Sequence, residues 1–122
     1  MAYTTIDKPT DYFNTVTYTG NATARNITTG LTSTDLVWIK RRDGTANHRL
    51  TDVVRGATNM LSSNNTNATQ THAQAVTAFG SSTFSLGTDS GGYDVNTNSQ
   101  TYVSWNWSAG GSASSNSDGS IT

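Results

Sequence analysis

The chain has 122 residues, enough for one domain with one core. Seven basic against eight acidic residues give a formal charge of -1. That balance excludes the basic face of a nucleic-acid binder and the polybasic patch of a membrane-surface protein. Cysteine is absent, which excludes disulfides and thiolate metal sites.

Only 33% of the residues are hydrophobic, yet three Trp, five Tyr and three Phe are present and the net charge is small. Disordered chains combine low hydrophobicity with high net charge and few aromatics, so a folded domain is expected. Thr, Ser and Asn supply 23, 15 and 12 residues, and every acidic residue is Asp. Without Glu, and with Thr for strands and Asn, Asp, Ser and Gly for turns, the composition is written for β-structure. The longest apolar run, "LVWI", is far too short to cross a bilayer. The start, "MAYTTIDKPT", has no basic segment followed by an apolar one. The reading is a soluble product made in a cytoplasm.

In chain order, residues 1–12 form a polar leader whose shape Pro9 restricts. Two roles stand open for it, lying extended on a neighbouring subunit or covering a sheet edge of its own domain. "FNTVTYTG" (13–20) alternates, with Val16 and Tyr18 on one face and Thr15, Thr17 and Thr19 on the other, the period of a half-buried strand. "GN" (20–21) signals a turn, and "ARNITTG" (24–30) reads as the return strand of a hairpin anchored by Ile27. "DLVWIKRR" (35–42) fits a central strand covered on both faces, or a short buried helix. "DG" (43–44) ends it.

"HRLTDVVRG" (48–56) is read as a strand for its Thr/Val content and closing Gly56, with a helix as the alternative. "NMLSSN" (59–64) reads as a short strand, and "NNTNATQTHAQ" (64–74) as a polar loop or short helix. "AVTAFG" (75–80) and "STFSLG" (82–87) are two further strands, joined by the turn-rich "TDSGGYDVNTNSQ" (88–100) to the last. In "TYVSWNWSAG" (101–110) Val103, Trp105 and Trp107 share one face, and Tyr102, Ser104, Asn106 and Ser108 the other. The Trp-bearing face is assigned to the core. Residues 110–122 are a Gly/Ser-rich linker expected to lead to further modules. Seven or eight short strands at this spacing predict an all-β fold, an antiparallel β-sandwich over residues 13–109.

The motif string is "KPTDYFNTVTYTGN" (8–21), "DLVWIKRRDGTANHRLTDVVRGATNMLSSN" (35–64), "FGSSTFSLGTD" (79–89), "TYVSWNWSAGG" (101–111) and "SNSDGSIT" (115–122). It resembles the front module of virion structural proteins of tailed bacteriophages, especially marine and cyanobacterial ones, both fibre-like and head-decorating. The resemblance runs over nearly the whole chain. It departs at Ser108, where a Lys is common, and at Gln70–Gln74, where an acidic residue is frequent. It implies a lectin-like or jelly-roll-like sandwich located in the virion, homo-oligomeric, with other virion proteins as partners. It implies a role in particle assembly and attachment. The competing expectation is a carbohydrate-binding module that recognises host-surface glycans.

Candidate sites follow from local chemistry. "NHRLTDVVRG" (47–56) concentrates His48, Arg49, Asp52 and Arg55 in a charge-poor chain. As a catalytic pair, His48 and Asp52 would have to meet. On a strand they lie about 13 Å apart at ~3.3 Å per residue, which is too far for shared acid–base work. The expected role is a structural polar clamp of Arg41, Arg49, Asp52 and Arg55, with Asp52 paired to Arg41, Arg42, Arg49 or Arg55. Trp38, Val103 and Trp105 are expected in the core. His48, Trp107, Tyr102 and Asn106 are the candidates for ligand or partner contact. No catalytic residues, metal site or cofactor are expected, because histidines are scattered and "DSGGYD" (89–94) lacks the ligand spacing of a calcium loop.

Overall fold

The structure, a computed structural model, describes residues 8–110. Over these residues the chain makes a short 3-10 helix, Pro9–Asp11, and nine strands: β1 Phe13–Thr19, β2 Arg25–Thr28, β3 Leu36–Arg41, β4 Arg49–Asp52, β5 Asn59–Ser62, β6 Gln70–Thr71, β7 Val76–Phe79, β8 Thr83–Leu86 and β9 Thr101–Trp107. They form two antiparallel sheets. The larger runs β1-β9-β3-β4-β5-β6 and the smaller β2-β8-β7. The fold is an all-β sandwich. Residues 1–7 of the leader and 111–122 of the expected Gly/Ser-rich linker lie outside the described residues.

Apolar side chains from both sheets meet between them. β8 contributes Phe84 and Leu86, β7 Val76, and β2 Ile27; the larger sheet answers with Val37 and Ile39 of β3, Met60 of β5 and Tyr102 of β9. Fully burying side chains of this size stabilises by about 1.5–3 kcal/mol each. Phe84, Val37 and Tyr102 are completely enclosed. Tyr18 stacks on Tyr102 with centroids 5.3 Å apart. Burial pushes the Tyr18 phenol well above its ordinary range, with the neighbouring Tyr102 adding to the shift; its hydroxyl donates to the Val95 carbonyl at 2.7 Å.

Two expectations are corrected here. The stretch 24–30 is not the return strand of a hairpin with β1: β2 pairs with β8 in the other sheet, Ile27 opposite Phe84. The reason is Asn96. Its side chain donates to the carbonyls of Thr23 and Gly87 and accepts from the Asn21 N–H. The segment after Gly20 is thereby drawn across to the smaller sheet. Gly20 fits this corner because a Cβ there would meet the Thr97 carbonyl oxygen at 2.1 Å.

The second correction concerns β9. The alternation is as read, but its phase is inverted. Tyr102, Ser104 and Asn106 are buried, while Val103, Trp105 and Trp107 lie on the outer face and are only partly covered. A strand's period of two decides which residues travel together and leaves open which set faces inward. Inside, Asn106 Nδ2 donates to the Asn14 and Ser104 carbonyls and to Ser104 Oγ, which offsets part of the cost of burying these polar groups, while Asn106 Oδ1 has no partner among the described residues. β3 obeys the same phase: Val37 and Ile39 point inward, Leu36 and Trp38 outward.

Candidate functional site

The outer face of the larger sheet carries the most distinctive surface. Register places Trp38 beside Trp105 across β3 and β9, Leu36 beside Trp107, and Phe13 beside Trp107 across β1 and β9. Leu50 of β4 lies opposite Trp38, and Leu61 of β5 opposite Leu50. The result is an apolar band across five adjacent strands with no second layer over it among the described residues. At its centre Trp38, Trp105 and Trp107 line an open pocket of about 200 Å³. The Trp38 and Trp105 rings meet edge to face at 5.6 Å. Phe13, 37% exposed, tilts against Trp107 at 5.1 Å. Trp38, Val103 and Trp105, expected in the core, thus belong to this outer face.

The pocket is held from two sides. Trp38 Nε1 donates to His48 Nδ1 at 3.1 Å, so the neutral imidazole carries its proton on Nε2. Desolvation lowers the His48 pKa, and the positive charge of Lys40 lowers it further. The His48 backbone N–H is itself fixed by Asn64 Oδ1. At the other side, Asp35 Oδ2 accepts the N–H groups of Ala109 and Gly110, and the Asp35 N–H donates to the Trp107 carbonyl. That carboxylate sets where β9 ends and therefore where the Trp107 ring stands.

Of the expected contact residues, His48 and Trp107 lie at this pocket. Tyr102 and Asn106 do not. Both are fully buried on the opposite face of β9, a direct consequence of the inverted phase, and neither can reach an external ligand. Tyr102 instead donates its hydroxyl to Gln100 Oε1 and accepts the Thr97 N–H, and burial raises its phenol pKa.

The four residues expected to form one clamp are in three separate networks. Asp52 accepts the backbone N–H groups of Val54 and Arg55 on one oxygen and Arg55 Nε, at 2.8 Å, on the other. Burial pushes the Asp52 carboxyl up, but these bonds and the Arg55 charge outweigh it and hold it below its ordinary value. This is a local turn at the end of β4, followed by Gly56 at φ 97°. Val53, Val54 and Arg55 therefore leave the strand and are exposed.

Arg49 is buried, and its guanidinium spans from the Tyr93 carbonyl to Ser62 Oγ, both at 3.0 Å. Arg41 pairs with Asp43 at 2.7 Å and reaches Asp94 only at 4.0 Å. The hydrogen bond from Arg41 holds the Asp43 carboxyl below its usual range.

The polar centre that matters most to the fold is Asp89. Its carboxylate, in a residue only 5% exposed, accepts from the Tyr93 N–H at 2.8 Å, the Val95 and Asn96 N–H groups, and Thr97 Oγ1 at 2.7 Å. The 88–100 connection is organised around this one residue, which sits at φ 56°. The spacing in "DSGGYD" argues against a metal loop and does not by itself single out Asp89. The available signal was an Asp opening a Gly-Gly segment within the longest stretch lacking strand alternation. Among the described residues, no three His, Cys, Asp or Glu side chains gather where they would hold a metal ion. No helix in the described part is long and apolar enough to cross a membrane.

Comparison with curated proteins and with solved structures finds no match to the chain. One family does match, over residues 8–122, from the 3-10 helix and both sheets to the last residue. The chain belongs to that family, described as Domain of unknown function (DUF7483).

Proposed function

We propose that this domain is a docking module of a tailed-bacteriophage virion, seating a side chain of another particle protein in the Trp38–Trp105–Trp107 pocket. The observation that carries the docking mode is the composition of that pocket. It is lined by three indoles, and the Trp38 N–H is already committed to His48. A polyhydroxyl ligand needs several convergent polar groups; an aromatic or aliphatic anchor from a protein segment needs mainly the apolar walls this pocket offers. Exposed contiguous apolar surface of this kind marks interaction sites. The virion setting is supported by the motif string in "DLVWIKRRDG", "NHRLTDVVRG" and "TYVSWNW".

The second reading, recognition of a host-surface glycan, draws on one observation: the indoles point outward, as sugar-stacking aromatics do, beside Thr15, Lys40 and His48 on the same face. One titration separates the two. All three tryptophans of the chain line the pocket, so intrinsic fluorescence reports this site alone. Purified particle proteins from the same phage should shift the emission, and Trp105→Ala should abolish the shift. A response to an oligosaccharide panel with none to particle proteins would replace docking with glycan binding.

A further inference from the structure

The four sheet edges are protected unequally. Unpaired edges invite strand addition, and proteins blunt them with short strands, charges or bulges. β6 has only two residues. β7 carries a register irregularity between Val76 and Ala78. β2 has four residues and begins with Arg25. β1 has seven, "FNTVTYT", with no charge, no proline and an unbroken register against β9. Its outward side chains Phe13, Thr15, Thr17 and Thr19 are all exposed.

The hydrogen-bonding phase of β1 follows from its ends. Ser108 N–H donates to the Tyr12 carbonyl and Gly20 N–H to the Gln100 carbonyl. Even-numbered residues of β1 therefore face β9, and the N–H and C=O groups of Phe13, Thr15, Thr17 and Thr19 face the open edge. Two of those groups are occupied locally: Asn14 Oδ1 accepts the Thr15 N–H, and Arg25 Nη2 donates to the Thr19 carbonyl. Among the described residues, both groups of Phe13 and of Thr17 remain.

We infer that β1 pairs antiparallel with β1 of a second copy of this chain, in the register that sets Thr15 opposite Thr15. Phe13 then lies opposite the second copy's Thr17. Each such pair exchanges two hydrogen bonds and the two-fold symmetry generates two pairs, so four bonds form from the free groups alone. The central Thr15 pair keeps its N–H groups on Asn14 Oδ1, and registers shifted toward the C-terminal end of β1 call on the occupied Thr19 carbonyl.

The charges agree with this choice. Beyond the paired residues, the other copy's 3-10 helix, which carries Asp11, comes toward the Thr19 end of β1, where Arg25 sits. Arg25 lies over the Tyr18 ring at 5.4 Å, and its Nε is buried without a partner. Neither Arg25 nor Asp11 forms an ion pair among the described residues. The two-fold axis stands perpendicular to the sheet, so both tryptophan pockets open on the same face. Their β9 strands are three strand spacings apart, about 14 Å, close enough for one partner to engage both.

The test uses the full chain and two variants. Sedimentation velocity across a concentration series should show a reversible monomer–dimer equilibrium. The Thr17 N–H faces the open edge, so Thr17→Pro leaves the β1–β9 ladder intact and should shift the equilibrium to monomer with native tryptophan emission. The chain has no cysteine. Thr15→Cys should therefore form a disulfide-linked dimer under mild oxidation, and Thr19→Cys should not. A monomer at every concentration, or equal cross-linking of the two cysteine variants, would overturn the inference. Because the readout is oligomeric state, failure here leaves docking at the tryptophan pocket standing.

Discussion

Trp38 on β3 and His48, ten positions on and just ahead of β4, share a hydrogen bond in which the indole donates and the imidazole accepts. That geometry exists only while His48 is neutral. Protonation turns Nδ1 into a donor facing a donor. The folded protein holds the His48 pKa below its ordinary value, by desolvation and the Lys40 charge; His72 is lowered likewise, by desolvation and Arg49. A depressed native pKa means the unfolded chain takes up protons first. Their stabilising contribution is complete above the unfolded histidine value of about 6.5 and is lost as pH falls through the lower native value. Thermal unfolding followed from neutral to mildly acidic pH should show Tm falling across that window. Tryptophan emission should change with it, and His48→Asn, which keeps a side-chain acceptor, should flatten the emission change.

Asp89 is expected to be the most sensitive polar position. Asp89→Ala leaves the buried N–H groups of Val95 and Asn96 and the Tyr93 N–H without their acceptor. Hydrogen bonds to a charged group are worth about 1.5–3 kcal/mol each, so a loss of roughly 3 kcal/mol or more is expected in urea denaturation. Asp94→Ala, whose partner Arg41 stands 4.0 Å away, should cost less than about 1 kcal/mol.

The interior and the outer face of the sandwich should respond differently to truncation. Phe84 is completely enclosed, and Phe84→Ala should cost about 3–5 kcal/mol. Trp107→Ala removes a larger side chain from the partly covered outer face and should cost markedly less, roughly 1–2 kcal/mol by the area it buries. Equal losses would place Trp107 in the core.

Asp52 and Arg55 form a short-range turn at an exposed corner. Asp52→Asn keeps one acceptor for the Val54 and Arg55 N–H groups and removes the charge. It should cost no more than about 1 kcal/mol, with the loss shrinking in high salt. A larger, salt-independent loss would mean that Asp52 reaches the buried Arg49 after all.

Much of the sandwich was legible in the residues because period-two alternation survives in β1, β8 and β9. The inward face of β9 was not, since aromatic mass suggested a core that Ser104 and Asn106 in fact occupy through their hydrogen bonds. β2 joins the smaller sheet instead of pairing with β1 because Asn96 holds Thr23, 73 residues away in sequence and just ahead of the strand. The charges around Asp52 looked like one unit because they are neighbours in sequence; alternation sends Arg49 inward and Asp52 outward. The pattern of β9 puts Trp105 and Trp107 on one face, but their meeting with Trp38 as one pocket depends on β3 and β9 being adjacent, a long-range pairing that no local pattern encodes.

The central claim is that the chain's three indoles form an open apolar pocket on the outside of the sandwich. Acrylamide quenching of tryptophan fluorescence in the native state, set against the denatured chain, tests it most directly. The account predicts substantial native quenching, lower than in denaturant but far from zero, and reduced when a docking partner is bound. Native emission that acrylamide barely touches would put the indoles inside the sandwich and contradict it.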